Sequence, residues 1–298
     1  APCPEWLQVE LHTACQRARR PCWQQRDQRR GWLVRSRPRV APAAAPRIAS
    51  RRTNRPDRPV SHSFSTIAIG GFSTHDTSLG YYNSPVINII CVVFLWIAAL
   101  NFALHFAAAS GRNLKGYWRD PEFKAFLVIQ FALIAICFLV LVHYDYYDSA
   151  EIALDQAMFQ AVSISTTAGF ATTDFSAWPV FLPILLIFSS FIGGCAGSTG
   201  GGLKVIRVFL LFLQGKREID RLTHPKAVYS VKLGDRAMPD RVVEAVWGFF
   251  AAYAIVFVII MLALLGTGMD DITAFTATAA TLNSLGPGLG DVAGTYAS

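Results

Sequence analysis

Between Val86 and Leu282 the chain carries apolar runs of two lengths, and this pairing constrains its fold more than any other feature. Val86 to Ala109 gives 24 residues, Ala125 to Val142 gives 18, and Val242 to Gly266 gives 25. As helices the two longer runs measure about 36 to 38 Å, enough to cross a ~30 Å hydrocarbon core, and the shortest, about 27 Å, is a minimal span. A fourth run, Val180 to Leu213, is broken by residues 193–202, six of which are glycine. Ile152 to Ile164 and Ile272 to Leu282 are also apolar and helix-compatible, but eleven residues of helix reach only about 17 Å. Segments of that length enter a membrane and return on the same side, tolerated only where protein or water surrounds the returning backbone.

Charge placement orients the runs. Residues 110–124 hold Arg112, Lys115, Arg119 and Lys124, and residues 214–241 hold Lys216, Arg217, Arg221, Lys226, Lys232, Arg236 and Arg241. Residues 73–84, 143–157, 171–178 and 267–272 hold no Lys or Arg. The positive-inside rule puts the first two loops in the cytoplasm and the other four outside. Trp118, Tyr144, Tyr146, Tyr147 and Trp178 fall near span ends, where interface anchors are expected. The net charge of +7 does not mark a nucleic-acid binder, because residues 1–60 hold 14 Arg against 4 acids. The rest of the chain is slightly acidic, and charged residues make up only 16% of the whole. Residues 1–58 are rich in Arg, Pro and Ala without helical or strand periodicity, and read as disordered. Cys3, Cys15 and Cys22 lie in that arm, while Cys91, Cys137 and Cys195 lie in apolar stretches as buried thiols. Neither a zinc site, a disulfide framework nor a nucleophile–base arrangement is spelled out, so no enzyme chemistry or bound cofactor is expected.

A segment repeats beside the half-length helices. Setting Gly71 of Ile67-Ala68-Ile69-Gly70-Gly71-Phe72 against Gly169 of Ser165-Thr166-Thr167-Ala168-Gly169-Phe170 aligns Phe72 with Phe170, Thr74 with Thr172 and Asp76 with Asp174. Gly286 of Leu282-Asn283-Ser284-Leu285-Gly286-Pro287 falls in the same column. Each interval holds a span inward, a basic loop and a span outward, so the unit is span, half-helix, filter, span. A dehydrated monovalent cation is held by oxygens that replace its water shell, and backbone carbonyls turned to one axis supply them. Such turning needs unusual dihedrals, hence glycine; Thr166 and Thr167 add hydroxyl oxygens. The half-helix C-termini aim partial negative charge at the ion. His105 and His143 read as satisfied histidines near span ends, and Asn88 and Asn101 as partners of neighbouring helices. Asp145, Asp148 and Glu151 concentrate cations at the outer mouth or form an ordinary solvated face.

Residues 65–76, Thr166 to Phe170 and Gly193 to Lys204 resemble the Trk/Ktr/HKT superfamily of potassium transporters, and within it the bacterial TrkH-type branch, over residues 60–298. The resemblance implies an all-α polytopic membrane protein of the bacterial inner membrane. It implies four span–half-helix–filter–span repeats around a potassium-channel-like pore, with K+ as the transported ion. It further implies assembly as a homodimer in the lipid bilayer, a cytosolic nucleotide-binding ring as regulator, and no nucleic-acid partner. Potassium-facing positions would be Ala68, Ile69, Gly70 and Gly71; Thr166, Thr167, Ala168 and Gly169; and Asn283, Ser284, Leu285 and Gly286. The glycine-rich loop, with Gly193, Gly194, Gly197, Ser198, Thr199, Gly200, Gly201, Gly202 and Lys204, would be the gate beneath them. Glycines rearrange at little cost there, and Ser198 and Thr199 can satisfy freed backbone groups. Lys204 and Arg207 stand at the cytoplasmic mouth or snorkel from a helix end. A phosphate-binding P-loop is excluded, because Leu203 and Val205 occupy the places of its Gly and Ser/Thr.

Measured against the four-repeat plan, the expected organisation is incomplete at both ends. Residues 60–124 form part of a second repeat, 125–213 a complete third, 214–241 a basic cytoplasmic loop and 242–298 part of a fourth. Residues 1–59 change character abruptly at Val60 and read as foreign to the family, the text of a shifted frame or mis-joined fragment; a basic arm on anionic lipid is the alternative. The rival function is a non-conducting membrane scaffold, or a carrier of other ions or substrates built on broken helices.

Overall fold

The computed structural model describes residues 57–111, 114–224, 231–234 and 236–293, so the arm up to residue 56, Arg112 and Lys226 lie outside the described residues. The helices are α1 (Asp57–Ile67), α2 (Pro85–Ala99), α3 (Phe102–Gly111), α4 (Lys115–Arg119), α5 (Pro121–His143), α6 (Ala150–Ser165), α7 (Phe181–Ile192), α8 (Val205–Thr223), α9 (Asp240–Gly266) and α10 (Asp271–Leu282). The only sheet among the described residues is a two-residue antiparallel ladder, Lys232–Leu233 with Arg236–Ala237. Helix starts carry their expected chemistry. Asp120 accepts from the Glu122 N–H ahead of Pro121, Ser149 accepts from Ile152, and Asp270 from Thr273. The Thr273 hydroxyl and N–H hold the exposed Asp270 carboxyl below its ordinary range.

Two helices, α5 and α9, are long and apolar enough to span a membrane alone. The run Val86 to Ala109 is not one straight span: it bends by 92° between α2 and α3. Leu100 is extended, so the α-helical ladder stops, and the Asn101 side chain caps α3 by accepting from Ala103 N–H at 2.8 Å. The freed groups find partners elsewhere. Ala99 carbonyl accepts from Cys195 N–H at 2.8 Å, and Phe102 N–H donates to Gly197 carbonyl at 3.2 Å. The bend is therefore where the glycine-rich loop docks.

Helix α6 lies at the centre. It packs against α2, α5 and α7 and is buried almost all round from Ala157 to Ser165. In contrast α9 buries only Val243 and Val246. Trp178 is not an interface anchor: it is 2% exposed, and its Nε1–H donates to the Tyr147 hydroxyl at 3.1 Å. Its indole fills the core beneath α7, and burial there pushes the Tyr147 phenol up. Trp118 and Tyr144 do stand exposed.

Several loops of like charge lie together. Gly234 of the second basic loop packs on Pro121, which closes the first. Gly80 N–H donates to the Ala171 carbonyl, and the Tyr147–Trp178 bond ties a third Lys- and Arg-free segment, 143–157, to 171–178. His105 is satisfied, by Tyr117 and the Ile97 carbonyl, and Asn88 bonds Asp155 of α6. Cys91, Cys137 and Cys195 are buried free thiols.

Candidate functional site

Each half-helix, α1, α6 and α10, ends in the same hydrogen-bond pattern. Thr166, Thr167 and Ala168 N–H donate to the carbonyls of Val162, Ile164 and Ser163 at 3.0, 3.0 and 2.8 Å. Ala68, Ile69 and Gly70 repeat this on Phe64, Thr66 and Ser65, and Asn283, Ser284 and Leu285 on Ala279, Thr281 and Ala280. Crossed bonds of this kind form a Schellman cap, whose left-handed residue is usually glycine. Here it is Ile69 (φ 51°), Thr167 (φ 68°) and Ser284 (φ 57°). A left-handed β-branched residue is strained by about 1–3 kcal/mol and persists only where its surroundings dictate it.

Two residues on, Gly71, Gly169 and Gly286 are left-handed again, with φ of 66°, 77° and 95°. Thr166 and Asn283, just before the first left-handed residues, are right-handed. Alternation of hand swings successive N–H groups to one side and carbonyls to the other. Among the described residues, no hydrogen bond ends on the carbonyls of Ala68–Gly71, Thr166–Gly169 or Asn283–Gly286. The caps consume the helix-end carbonyls and leave those of the strips open. Glycine alone had marked the strips in the sequence; half of the left-handed positions are not glycine.

The strips stand side by side. A Cβ on Gly71 would overlap the Ala168 carbonyl oxygen, and one on Gly169 that of Leu285, while Gly286 meets nothing within 4 Å. Strip two is braced from α6. Ser163 Oγ donates to the Phe170 carbonyl at 2.7 Å, Gln160 Nε2 to the Thr173 carbonyl at 3.0 Å, and the Thr172 hydroxyl to Gln156 at 2.6 Å. Strip three is held at its start by Asn283, which accepts from the Tyr253 hydroxyl at 2.6 Å and donates to Ser190 at 3.1 Å. The threonine hydroxyls serve the protein: Thr166 donates back to Val162, and Thr167 accepts from Gly201 N–H at 2.7 Å.

The loop between α7 and α8 lies against the inner ends of all three strips. Thr199 donates to the Ile67 carbonyl at 3.0 Å, a Cβ on Gly200 would come 2.8 Å from the Thr166 oxygen, and one on Gly201 would overlap the Asn283 oxygen. Gly193, Gly197 and Gly202 are left-handed, Gly194 packs on Ala99, and Gly197 on the Asn101 side chain. Lys204 does not reach outward. Its Nζ folds back to donate to the Gly200 carbonyl, to the Ser198 carbonyl at 3.3 Å and to Ser198 Oγ at 3.2 Å. Arg207 instead sits over the Phe249 ring, 4.3 Å from its centre.

Two contributors, Glu122 and Ser163, carried no expectation from the sequence. Glu122 lies in a loop where only Lys and Arg were read, although an acid in the first turn of an apolar helix is a signal in itself. Asn101, expected to bond a neighbouring helix, instead caps its own helix α3. Ser163 carried no mark distinguishing it from any helix serine.

Comparison with known proteins bears on this geometry. A family model described as the cation transport protein TrkH matches residues 46–297. The Trk system potassium uptake protein TrkH of Vibrio parahaemolyticus is 66% identical over 236 residues, covering 78% of this chain and 49% of that protein. Its counterpart in Escherichia coli K12 is 61% identical over 239 residues, covering 80% and 50%, and TrkG of that organism is 38% identical. The crystal structure of the potassium transporter TrkH from Vibrio parahaemolyticus superposes with a TM-score of 0.78 at 63% identity, over 82% of this chain and 53% of that one. The chain thus spans about half the length of the curated relatives it matches. It belongs to the TrkH cation transport family.

Proposed function

We propose that this chain contributes to potassium transport across a bacterial inner membrane, its strips lining a filter and its glycine-rich loop gating it. The observation that carries the reading is the threefold Schellman cap followed by alternating hand, which leaves the carbonyls of Ala68–Gly71, Thr166–Gly169 and Asn283–Gly286 without protein donors among the described residues. Oxygens so placed replace the hydration shell of a monovalent cation. No carboxylate lies in the strips, which disfavours a divalent ring. The relatives' names supply potassium as the ion. The loop, pressed against the strips and roofed by its own lysine, suits a barrier that withdraws. Family resemblance adds a homodimer, a cytosolic nucleotide-binding ring and the division into repeats 60–124, 125–213 and 242–298 as parts of this proposal.

The test is potassium uptake in an uptake-deficient bacterium that expresses this chain or a full-length TrkH-type protein carrying the segment. Restored growth at low potassium is expected, and Gly169→Ser abolishes it by at least about tenfold in rate, because a side chain at φ 77° strains the strip and strikes Leu285. Uptake indifferent to that substitution refutes the filter and favours a carrier built on broken helices.

A further inference from the structure

We propose that Glu122 is a positioning residue that clasps both limbs of the glycine-rich loop and thereby sets how readily its tip withdraws from the strips. This inference rests on the reading of that loop as a gate. Glu122, in the first turn of α5, is 6% exposed. A single oxygen, Oε1, accepts from Ala196 N–H at 2.6 Å and from Ile206 N–H at 3.3 Å. Ala196 lies on the limb leaving α7, and Ile206 in the first turn of α8, so the carboxylate bridges the two sides of the loop.

Both donors need it. Ile206 N–H is among the first of a helix, which find no acceptor in their own ladder, and the positive end of that helix favours an anion. Ala196 N–H sits in irregular backbone. Other bonds close the loop's base: Leu203 N–H to the Phe191 carbonyl at 2.8 Å, Val205 N–H to Gly194 at 3.0 Å and Cys195 N–H to Ala99 at 2.8 Å. The base is thus fixed to α2 and α5, whereas the tip is held by single bonds, from Thr199 to Ile67 at the end of α1 and from Gly201 to Thr167 of the second strip. A loop with a pinned base and a lightly held tip moves at the tip alone. Without the carboxylate the two limbs lose their shared acceptor, and the base loosens.

The experiment measures amide hydrogen exchange of this chain in lipid nanodiscs alongside potassium flux in vesicles, for wild type, Glu122→Gln and Glu122→Ala. Exchange across 193–206 is expected to accelerate about tenfold in Glu122→Ala, the scale of losing bonds to a charged acceptor. Glu122→Gln falls between, because its amide oxygen still accepts but without charge. Flux rises in the same order while the potassium-to-sodium ratio stays constant, a change that a misfolded variant does not produce. Unchanged exchange in the loop overturns the clasp, as does acceleration spread through α5 and α6. Faster exchange with unmoved flux overturns the regulatory role. Wild-type vesicles without flux overturn the transport reading, and exchange then judges the clasp by itself.

Discussion

Strip 166–169 and loop 193–204 are both irregular backbone set among apolar helices, yet they are tied down in opposite ways. The strip is closed on its own helix: its four N–H groups return to the last turn of α6, and side chains of the same helix brace its far end. Apart from its closed base, the loop is tied to its surroundings, to Ala99, Phe102, Glu122, Thr167 and Ile67. Local closure anchors the carbonyl geometry to one helix end. Scattered single bonds, each worth about 0.5–1.5 kcal/mol, release one at a time. The first arrangement suits selection and the second suits gating.

A methyl group placed in each region separates them most sharply. Gly201→Ala puts a Cβ onto the Asn283 oxygen, much as Gly169→Ser strikes Leu285. The expected signs are opposite. In the strip the clash deforms the ion's ligands and transport is lost. In the loop it pushes the tip off the filter, and resting potassium flux rises about five- to tenfold, the worth of the contacts released. Vesicle flux with and without a sodium gradient checks this. Loss of flux in Gly201→Ala, matching Gly169→Ser, erases the distinction between the two regions.

Much of this was legible beforehand, and the failures have physical causes. Run lengths separated α6 and α10 from the spanning α5 and α9, because hydropathy reports length directly. The glycine column located the strips. The left-handed turns at Ile69, Thr167 and Ser284 were hidden, since residue type does not disclose a conformation that packing imposes. The bend at Leu100 was hidden because both arms are apolar and its partners lie far along the chain, at Cys195 and Gly197. Trp178 was misread for a similar reason: nearness to a span end in sequence does not say which face of the fold receives the ring. The bend and Trp178 were set by contacts far along the chain, whereas the hits were local patterns and lengths.

The comparison sharpens further if selectivity and gating respond to different residues. Ser163→Ala removes the hydroxyl that braces the Phe170 carbonyl but leaves the loop untouched. Its backbone carbonyl still receives Ala168, so the cap survives. The potassium-to-sodium flux ratio is expected to fall about three- to fivefold, the equivalent of one buried hydrogen bond, with resting flux little changed. A rise in resting flux at constant ratio would assign Ser163 to the gate.

The smallest effect belongs to Thr199→Val. Its hydroxyl donates to the Ile67 carbonyl at 3.0 Å and lies within 3.5 Å of Ala98, joining the loop tip to the end of α1 and to α2. Valine keeps the shape and deletes the donor, so the tip loses one of its latches while Gly201 still donates to Thr167. Because Thr199 is exposed, water takes over the vacated carbonyl, and the net change is about twofold in resting flux. Selectivity stays constant, since Ile67 precedes the first strip and its carbonyl is not among those offered to the ion. A twofold shift is readable only beside Gly201→Ala, and the double variant decides what it means. If both residues latch one tip, the second substitution adds little to the first; if the flux increments multiply, the tip makes independent contacts with the end of α1 and with strip three, and it opens contact by contact.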